Sequence, residues 1–495
     1  MDALLIDGKW VSAASGRTRE ICCPADGKPV GAVPEADETD TRRAIAAARR
    51  AFDSSPWRTA SAWDRAKLLS AVADRLEAEI ETVAAAESGD TGKRLVESRY
   101  DVADVVSCFR YFAGLIPKEA GRIIDTGDVS TLSRVQYEPV GVCGLITPWN
   151  YPLLQASWKV ASALAAGCTF VLKPSELTPH TTILLMQYLV DAGMPPGVGN
   201  LILGAGQTAG APLASDPDID LVSFTGGLAT GRIIMAAAAP TVKKVALELG
   251  GKNPNIVFAD ADWDAAVDNA LTAVFLHSGQ VCSAGARLIV EESIHDEFVD
   301  VLVTAAEGIR LGGPDDEKAQ TGPLISAAHR DKVAAYVANA LSEGARLRCG
   351  GRAPTDPGLT DGYYYLPTIL DDCSAGMACV QEESFGPVLT VETFRDEAEA
   401  IRIANDTYYG LAGAVWTKDA SKSQRVANAL RHGTIWINDF HPYLPQAEWG
   451  GFKQSGVGRE LGTQGFHEYL EAKHVYQNLN PEPSGWFDVP SKERQ

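Results

Sequence analysis

The chain has 495 residues, enough for about two or three domains with large cores, and its 45% apolar and 22% charged content is that of an ordinary folded protein. Its 64 acidic residues against 44 basic ones give a formal charge of −20, which argues against nucleic acid or an anionic membrane as a partner. Nine cysteines, an odd number with no CxxC pair, argue against disulfides and a zinc site and point to a reducing cytoplasm.

The opening Met-Asp-Ala-Leu-Leu-Ile-Asp-Gly-Lys-Trp has neither the basic region nor the apolar run of a signal peptide. Apolar patches such as Met235–Pro240 are too short to span a bilayer. Residues 1–35 carry a hairpin pattern, Leu4–Ile6 and Trp10–Val11 about the Asp7-Gly8 turn. From Glu38 to about Lys118 the pattern is helical, with Ala-rich runs at Ala44–Ala51 and Leu68–Ala86. Val135–Tyr137 is a short extended stretch, stopped by Pro139.

A regular alternation follows. Apolar runs at Gly141–Thr147, Thr169–Leu172, Asn200–Leu203, Leu221–Thr225 and Lys244–Leu249 are separated by helical segments near 153–166, 178–193, 207–215 and 228–239. Strand–helix alternation at this spacing means βαβ units, hence a parallel sheet whose ligands sit beyond the C-terminal ends of its strands. After Pro254 a second alternating unit begins, with helix-like Ala261–Leu276, strand-like Leu288–Val290, helix-like Asp331–Glu343, and apolar runs Val388–Val391 and Thr434–Ile437. The tail Tyr476–Gln495, rich in Pro, Asn and charge, reads as a surface arm; there are no internal repeats.

The residues able to do chemistry cluster at the predicted strand ends. Cys282, in Phe275–Gly285, directly follows Gly279-Gln280-Val281, and Glu248 ends an apolar run before Gly250-Gly251. A thiol attacks only as thiolate, and a carboxylate at a strand end can be aimed at such a thiol or at a water. Alone, Cys282 reads first as a small core residue. Gly226-Gly227-Leu228-Ala229-Thr230-Gly231 opens a helix whose free N–H groups suit a phosphate, or is simply a glycine-rich turn. Lys173-Pro174-Ser175-Glu176 puts a carboxylate where it suits the paired hydroxyls of an adenosine ribose, or caps the following helix. In Thr147-Pro148-Trp149-Asn150-Tyr151-Pro152, the Asn150 amide can donate to an oxyanion or serve the turn.

Together with Glu383-Ser384-Phe385-Gly386-Pro387, these motifs stand in an order that resembles the NAD(P)-dependent aldehyde dehydrogenase superfamily over nearly the whole chain. Within it, Trp436–Gly456 is most similar to bacterial glycine betaine aldehyde dehydrogenases. The resemblance implies an α/β fold: a Rossmann-type parallel-sheet cofactor domain (1–120 and 140–250), an α/β catalytic domain (251–450), and a small oligomerisation β-element with a C-terminal arm (121–139 and 466–495). It implies Cys282 as nucleophile, Glu248 as general base, Asn150 with the Cys282 N–H as oxyanion hole, and Lys159 with Glu460 as a proton relay. For the cofactor it implies Trp149, Lys173, Glu176, Gly206, Thr225, Gly226, Gly227, Gly231, Leu249, Glu383 and Phe385, with Glu176 favouring NAD over NADP. Tyr151 and Trp158, seven residues apart on one predicted helix, would form an aromatic box with Trp449, beside Tyr443.

The implied reaction oxidises betaine aldehyde to glycine betaine; the alternatives are an ω-aminoaldehyde, a broad range of aliphatic or aromatic aldehydes, or a non-catalytic homologue. Glu248 argues against the CoA-acylating relatives, which lack this base. No metal is implied, and the expected assembly is a homodimer or homotetramer. Three positions depart from common patterns: Gly227 stands where many relatives have Ser, Leu276 where plant betaine aldehyde dehydrogenases carry Trp, and Glu448 where Pro is common.

Overall fold

The predicted alternation folds as one parallel series. In the computed structural model, which describes residues 3–488, the strands Val142–Ile146, Thr169–Lys173, Gly199–Leu201, Leu221–Thr225 and Lys244–Glu248 form the parallel centre of an eight-stranded sheet. The first of them, Val142–Ile146, lies in the middle; the next two in sequence lie on one side of it and the last two on the other. The winding direction therefore reverses between Val142–Ile146 and Leu221–Thr225. Loops leaving the C-terminal ends of two such strands diverge and leave a crevice.

These central strands are continuous apolar runs because helices cover both faces. Helix Pro152–Ala166 starts with Pro152 at its first position and ends on Gly167 with φ 90°, and all of its residues are buried. Ser157 and Ser162 turn their hydroxyls back onto the carbonyls of Leu154 and Trp158, both at 2.7 Å, so neither leaves an unpaired polar atom in the core. The N-terminal hairpin, Leu4–Ile6 with Lys9–Val11, adds to one edge through Leu5 opposite Leu201, and Gly456–Val457 runs antiparallel to Lys244–Glu248 at the other.

The second unit is a seven-stranded sheet in the order Arg346–Cys349, Thr368–Asp371, Val388–Phe394, Arg287–Glu291, Pro254–Val257, Ala412–Trp416, Thr434–Ile437, parallel except at its first pair. A third sheet is antiparallel: Leu470–Asn478, Thr131–Pro139, Arg122–Ile124.

Several elements differ from expectation, each for a physical reason. Val135–Tyr137 is the middle of the nine-residue strand Thr131–Pro139, whose partner Leu470–Asn478 comes from the far end of the chain. The segment 207–215 is a π-turn, Gly206–Gly210, followed by helix Ala211–Ser215, because Pro212 can begin a helix but cannot continue one. The helix expected at Asp331 starts at Ala327, where Ser326 accepts the N–H of His329. A second hairpin, Thr18–Cys22 with Pro29–Pro34, escaped the reading of residues 1–35. In the tail, Tyr476–Asn478 belongs to the third sheet, residues 479–488 have no helix or strand, and 489–495 lie outside the described residues. All nine cysteines are free, and among the described residues no helix is long and apolar enough to cross a membrane.

The sheet that carries the crevice should be intolerant of voids. Leu145, fully buried in the central strand, is expected on truncation to Ala to cost about 2–5 kcal/mol, read as a lower denaturant midpoint at unchanged slope.

Candidate active site

Cys282 sits at the junction of two cavities, of ≈ 230 and ≈ 440 Å³, and lines both. The turn before it is tightly determined. His277, Ser278 and Gly279 all take positive φ (48°, 52° and 70°), and a Cβ at Gly279 would overlap the Gly386 carbonyl. The Ser278 N–H donates to Thr321 Oγ1 at 2.9 Å, Gln280 Nε2 donates to the Pro323 carbonyl at 3.1 Å, and Gln280 Oε1 accepts the Ile325 N–H at 2.8 Å. On the far side, Asn253 Nδ2 donates to the carbonyls of Cys282 and Ala284, both at 2.9 Å. Cys282 is thus held from both directions by buried side chains.

The other strand ends converge on it. Asn150, in the turn after Val142–Ile146, donates from Nδ2 to the Gln280 carbonyl at 2.8 Å. An amide nitrogen carries two N–H groups, so one is used to dock the turn and the second is available to an oxyanion beside Cys282. Lys93 braces this arrangement from below: its Nζ donates to the Asn150 carbonyl at 2.9 Å and to Asp101 Oδ2 at 2.6 Å. Glu248, the last residue of its strand, is in register with Thr225 and accepts the Trp449 indole N–H on Oε2 at 2.6 Å.

The smaller cavity is the crevice at the switch in strand order. Trp149, Asn150, Thr225, Gly226, Gly227, Glu248, Leu249, Glu383 and Phe385 line it with Cys282. Nothing lies within 4 Å of the Cβ position of Gly227, so a Ser there would reach into the cavity. Gly231 serves packing: the Leu249 side chain lies 2.6 Å from where its Cβ would be. Lys173, Glu176, Gly206 and Gly231 do not line the cavity; Lys173 Nζ pairs with Glu176 Oε2 at 3.1 Å, and Gly206 opens the π-turn after strand Gly199–Leu201.

The larger cavity brings together Tyr151, Trp158, Tyr443 and Trp449, with Leu276 and Phe440. Trp158 lies 5.5 Å from Tyr443 and 6.2 Å from Trp449, centroid to centroid. Lys93 Nζ stands 4.2 Å from the Tyr151 ring centroid, so a cation already covers one face of that ring. Lys159 and Glu460 line neither cavity: Lys159 Nζ bonds Glu460 Oε1 directly, and Ser223 Oγ joins both, at 2.8 and 2.9 Å. Glu448 is also outside, its Oε1 accepting the Gln464 N–H at 3.2 Å.

Several lining residues were not read from the sequence. Glu97, Asp101 and Asp104, on helix Leu95–Leu115, face the larger cavity at a spacing of four and three residues. That spacing was the available signal: acids on one stripe of an amphipathic helix whose other face carries exposed Arg99, Ala103 and Arg110. Gln155, one turn after Tyr151, borders both cavities, and His329 and Lys332 border the smaller one. His277 and His441 in the larger cavity carried no signal beyond being histidines.

The electrostatics of the junction are those of a dry site. Burial pushes the Cys282 thiol well up, and the facing carboxylates of Glu248 and Glu383 add to this; the N–H groups of Ser283 and Cys282 oppose it. Burial likewise raises Glu248 to about 8, against the Trp449 indole, and Glu383 to about 7, against the Gly251 N–H at 3.1 Å. A thiol, a carboxyl group, an amide donor and two cavities meet at Cys282. That arrangement can form and then hydrolyse an acyl thioester.

Residues 10–475 match the model of the aldehyde dehydrogenase family. The chain belongs to the aldehyde dehydrogenase family. It is 55% identical, over 98% of its length and 99% of the relative's, to a betaine aldehyde dehydrogenase of Bacillus subtilis (strain 168). It is 44% identical to a peroxisomal aminoaldehyde dehydrogenase 2 of Pisum sativum, over 99% of this chain and 98% of that one. A crystal structure of Staphylococcus aureus betaine aldehyde dehydrogenase in complex with NAD+ superposes with a TM-score of 0.98 at 50% identity, covering 99% of this chain and 97% of that one.

Burial and the facing carboxylates of Glu248 and Glu383 favour the protonated form of the Cys282 thiol in this aldehyde dehydrogenase. Alkylation of Cys282 by iodoacetamide, followed by peptide mass spectrometry, is therefore expected to accelerate steadily through pH 9 without a plateau. A plateau near pH 7 would mean a stabilised resting thiolate.

Proposed function

We propose that this chain oxidises betaine aldehyde to glycine betaine with NAD, through a covalent intermediate on Cys282. The observation that carries this reading is the position of Cys282 between a glycine-lined crevice and an aromatic, acidic cavity. The crevice suits a dinucleotide: Gly226 and Gly227 let a phosphate approach the start of helix Leu228–Ala238, and Glu383 can accept ribose hydroxyls. Lys173 and Glu176, farther along the same sheet edge, suit the adenosine ribose, where a carboxylate disfavours a 2′-phosphate. The cofactor, when bound, accepts a hydride.

The remaining steps belong to the chain. The Cys282 sulfur attacks the aldehyde carbon, and the free Asn150 N–H with the Cys282 backbone N–H receives the oxyanion. Loss of hydride leaves a thioester. Glu248 takes a proton from water, the hydroxide displaces the sulfur, and the acid departs. Lys159, Ser223 and Glu460 form a buried hydrogen-bonded group beside Glu248 that bears on its charge and would be the candidate proton relay.

The substrate end follows from charge and ring placement. A trimethylammonium group has no N–H to donate, and ring faces attract it by roughly 0.5–2 kcal/mol each. Trp158 and Trp449 supply such faces, while Tyr151 has one face already covered by Lys93. Glu97 pairs with Arg94 and Asp101 with Lys93, which leaves Asp104, beside the Tyr443 hydroxyl, as the acid whose charge is directed at the cavity. The same acidic stripe favours a second reading, an ω-aminoaldehyde, whose ammonium can donate hydrogen bonds to Asp104.

By the same reading the protein works in the cytoplasm, where its free thiols stay reduced, as a homodimer or homotetramer. Residues 121–139 and 466–495 would be the oligomerisation element and arm, with exposed Ile123 and Tyr476 on the third sheet as its contact surface. Residues 1–120 with 140–250 would bind the cofactor, and 251–450 would carry the catalytic domain.

With NAD and betaine aldehyde, the wild type is expected to turn over continuously. Cys282→Ser is expected to lose essentially all turnover while still binding NAD by fluorescence titration; wild-type turnover in that variant would sink the assignment. In a kcat/KM series over betaine aldehyde, 4-aminobutyraldehyde, propanal and benzaldehyde, betaine aldehyde is expected to lead. Asp104→Asn should lower the two cationic substrates about fivefold, ~1 kcal/mol, and leave propanal unchanged. A lead for 4-aminobutyraldehyde would favour the second reading.

A further inference from the structure

Trp449 touches both halves of the reaction. Its ring lines the larger cavity, and its indole N–H donates to Glu248 Oε2 at 2.6 Å. The other carboxylate oxygen, Oε1, is buried without a hydrogen-bond partner. The contact is built into the backbone. Trp449 and Glu460 exchange reciprocal N–H···O bonds of 2.7 Å, and between them Gly456–Val457 forms the edge strand that places Gly456 opposite Glu248. One segment thus sets both the indole and the strand end it grips.

We propose that Trp449 is a positioning residue for deacylation: its indole N–H holds Oε2 of Glu248 and so presents Oε1 as the oxygen that takes the proton of the hydrolytic water. The inference rests on the thioester reading given above and deepens it. Fixing one oxygen limits the carboxylate to one rotamer in a buried site, and a donor to the charged form keeps it available as a base. The ring face and the N–H edge belong to one rigid indole. A substrate cation that shifts the ring therefore also shifts the base, which links occupation of the aromatic box to hydrolysis. No phenylalanine or leucine at this position could make that link.

The charged groups around Glu248 also bear on its titration. Glu460 disfavours its charge, Lys159 and Arg459 favour it, and the Cys282 sulfur faces it. Removing the indole donor leaves these in place, so the carboxylate titrates at higher pH and the acid limb of kcat moves upward.

Trp449→Phe keeps an aromatic face and removes the donor. With NAD and betaine aldehyde, kcat is expected to fall about tenfold at pH 7 and to recover as pH rises. The value of kcat/KM, which reports steps up to acylation, should stay within about twofold, and acid-quenched protein should show the acyl adduct accumulating on Cys282 by intact mass. In a Glu248→Gln background the same substitution should add nothing, because the bond it removes serves only that carboxylate. Equal losses in kcat and kcat/KM, an unmoved acid limb, or multiplicative effects in the double variant would overturn the proposal. If instead wild-type protein forms no acyl adduct on Cys282 with any aldehyde, the thioester reading itself fails, a result separate from all of these.

Discussion

The buried hydrogen bond from Asn150 Nδ2 to the Gln280 carbonyl, 2.8 Å long, ties the two parallel sheets together at the point of reaction. Asn150 leaves the central strand of one sheet, and Gln280 belongs to a turn between two elements of the other. Both residues are buried, so leaving such a bond unmade costs about 1–3 kcal/mol for a stranded polar group. The consequence is geometric. The Asn150 amide and the Cys282 turn cannot drift apart without breaking it, so that turn is tied to a strand in the other sheet.

Around this bond the protein buries several charges, and their arrangement speaks of position more than of stability. Lys93 lies between Asp101 at 2.6 Å and Glu87 at 4.0 Å while donating to the Asn150 carbonyl. Burial raises Glu87 to about 7 and Asp101 to about 6, opposed in each case by Lys93. A buried ion pair gains little over apolar packing, but losing one partner leaves a stranded charge. Such clusters therefore tolerate few alternative packings. Here the cluster fixes the Asn150 backbone and covers one Tyr151 face, so the oxyanion site and the aldehyde cavity share a foundation.

Much of this was legible in the sequence, and the misses have a common cause. The strand ends could be read because parallel strands buried on both faces are continuous apolar runs, and the motifs Thr147–Pro152, Phe224–Gly231 and Leu247–Gly251 stand directly at those ends. The crevice followed from the alternation itself. What could not be read were partnerships across long separations: strand Thr131–Pro139 needs Leu470–Asn478 to show its length, and the Trp449 indole meets Glu248 across 201 residues. Trp449 looked like a ring and is also a donor. The acids at 97, 101 and 104 were hidden differently, because charges on a long amphipathic helix resemble a solvated face until burial reveals which stripe points inward.

The same buried junction makes the thiol sensitive to the carboxyl groups beside it. Glu248 and Glu383 face the Cys282 sulfur across one small cavity, and when ionised both add to the cost of a thiolate there. While the sulfur is free, an ionised Glu248 therefore holds the thiol protonated, and a neutral Glu248 makes the thiolate easier to form. Once the sulfur is acylated it can carry no charge. The Glu248 carboxyl is raised chiefly by burial, with Glu460 adding to it and the Trp449 indole, Lys159 and Arg459 opposing, so what sets its charge is the packing around it and not the state of the sulfur.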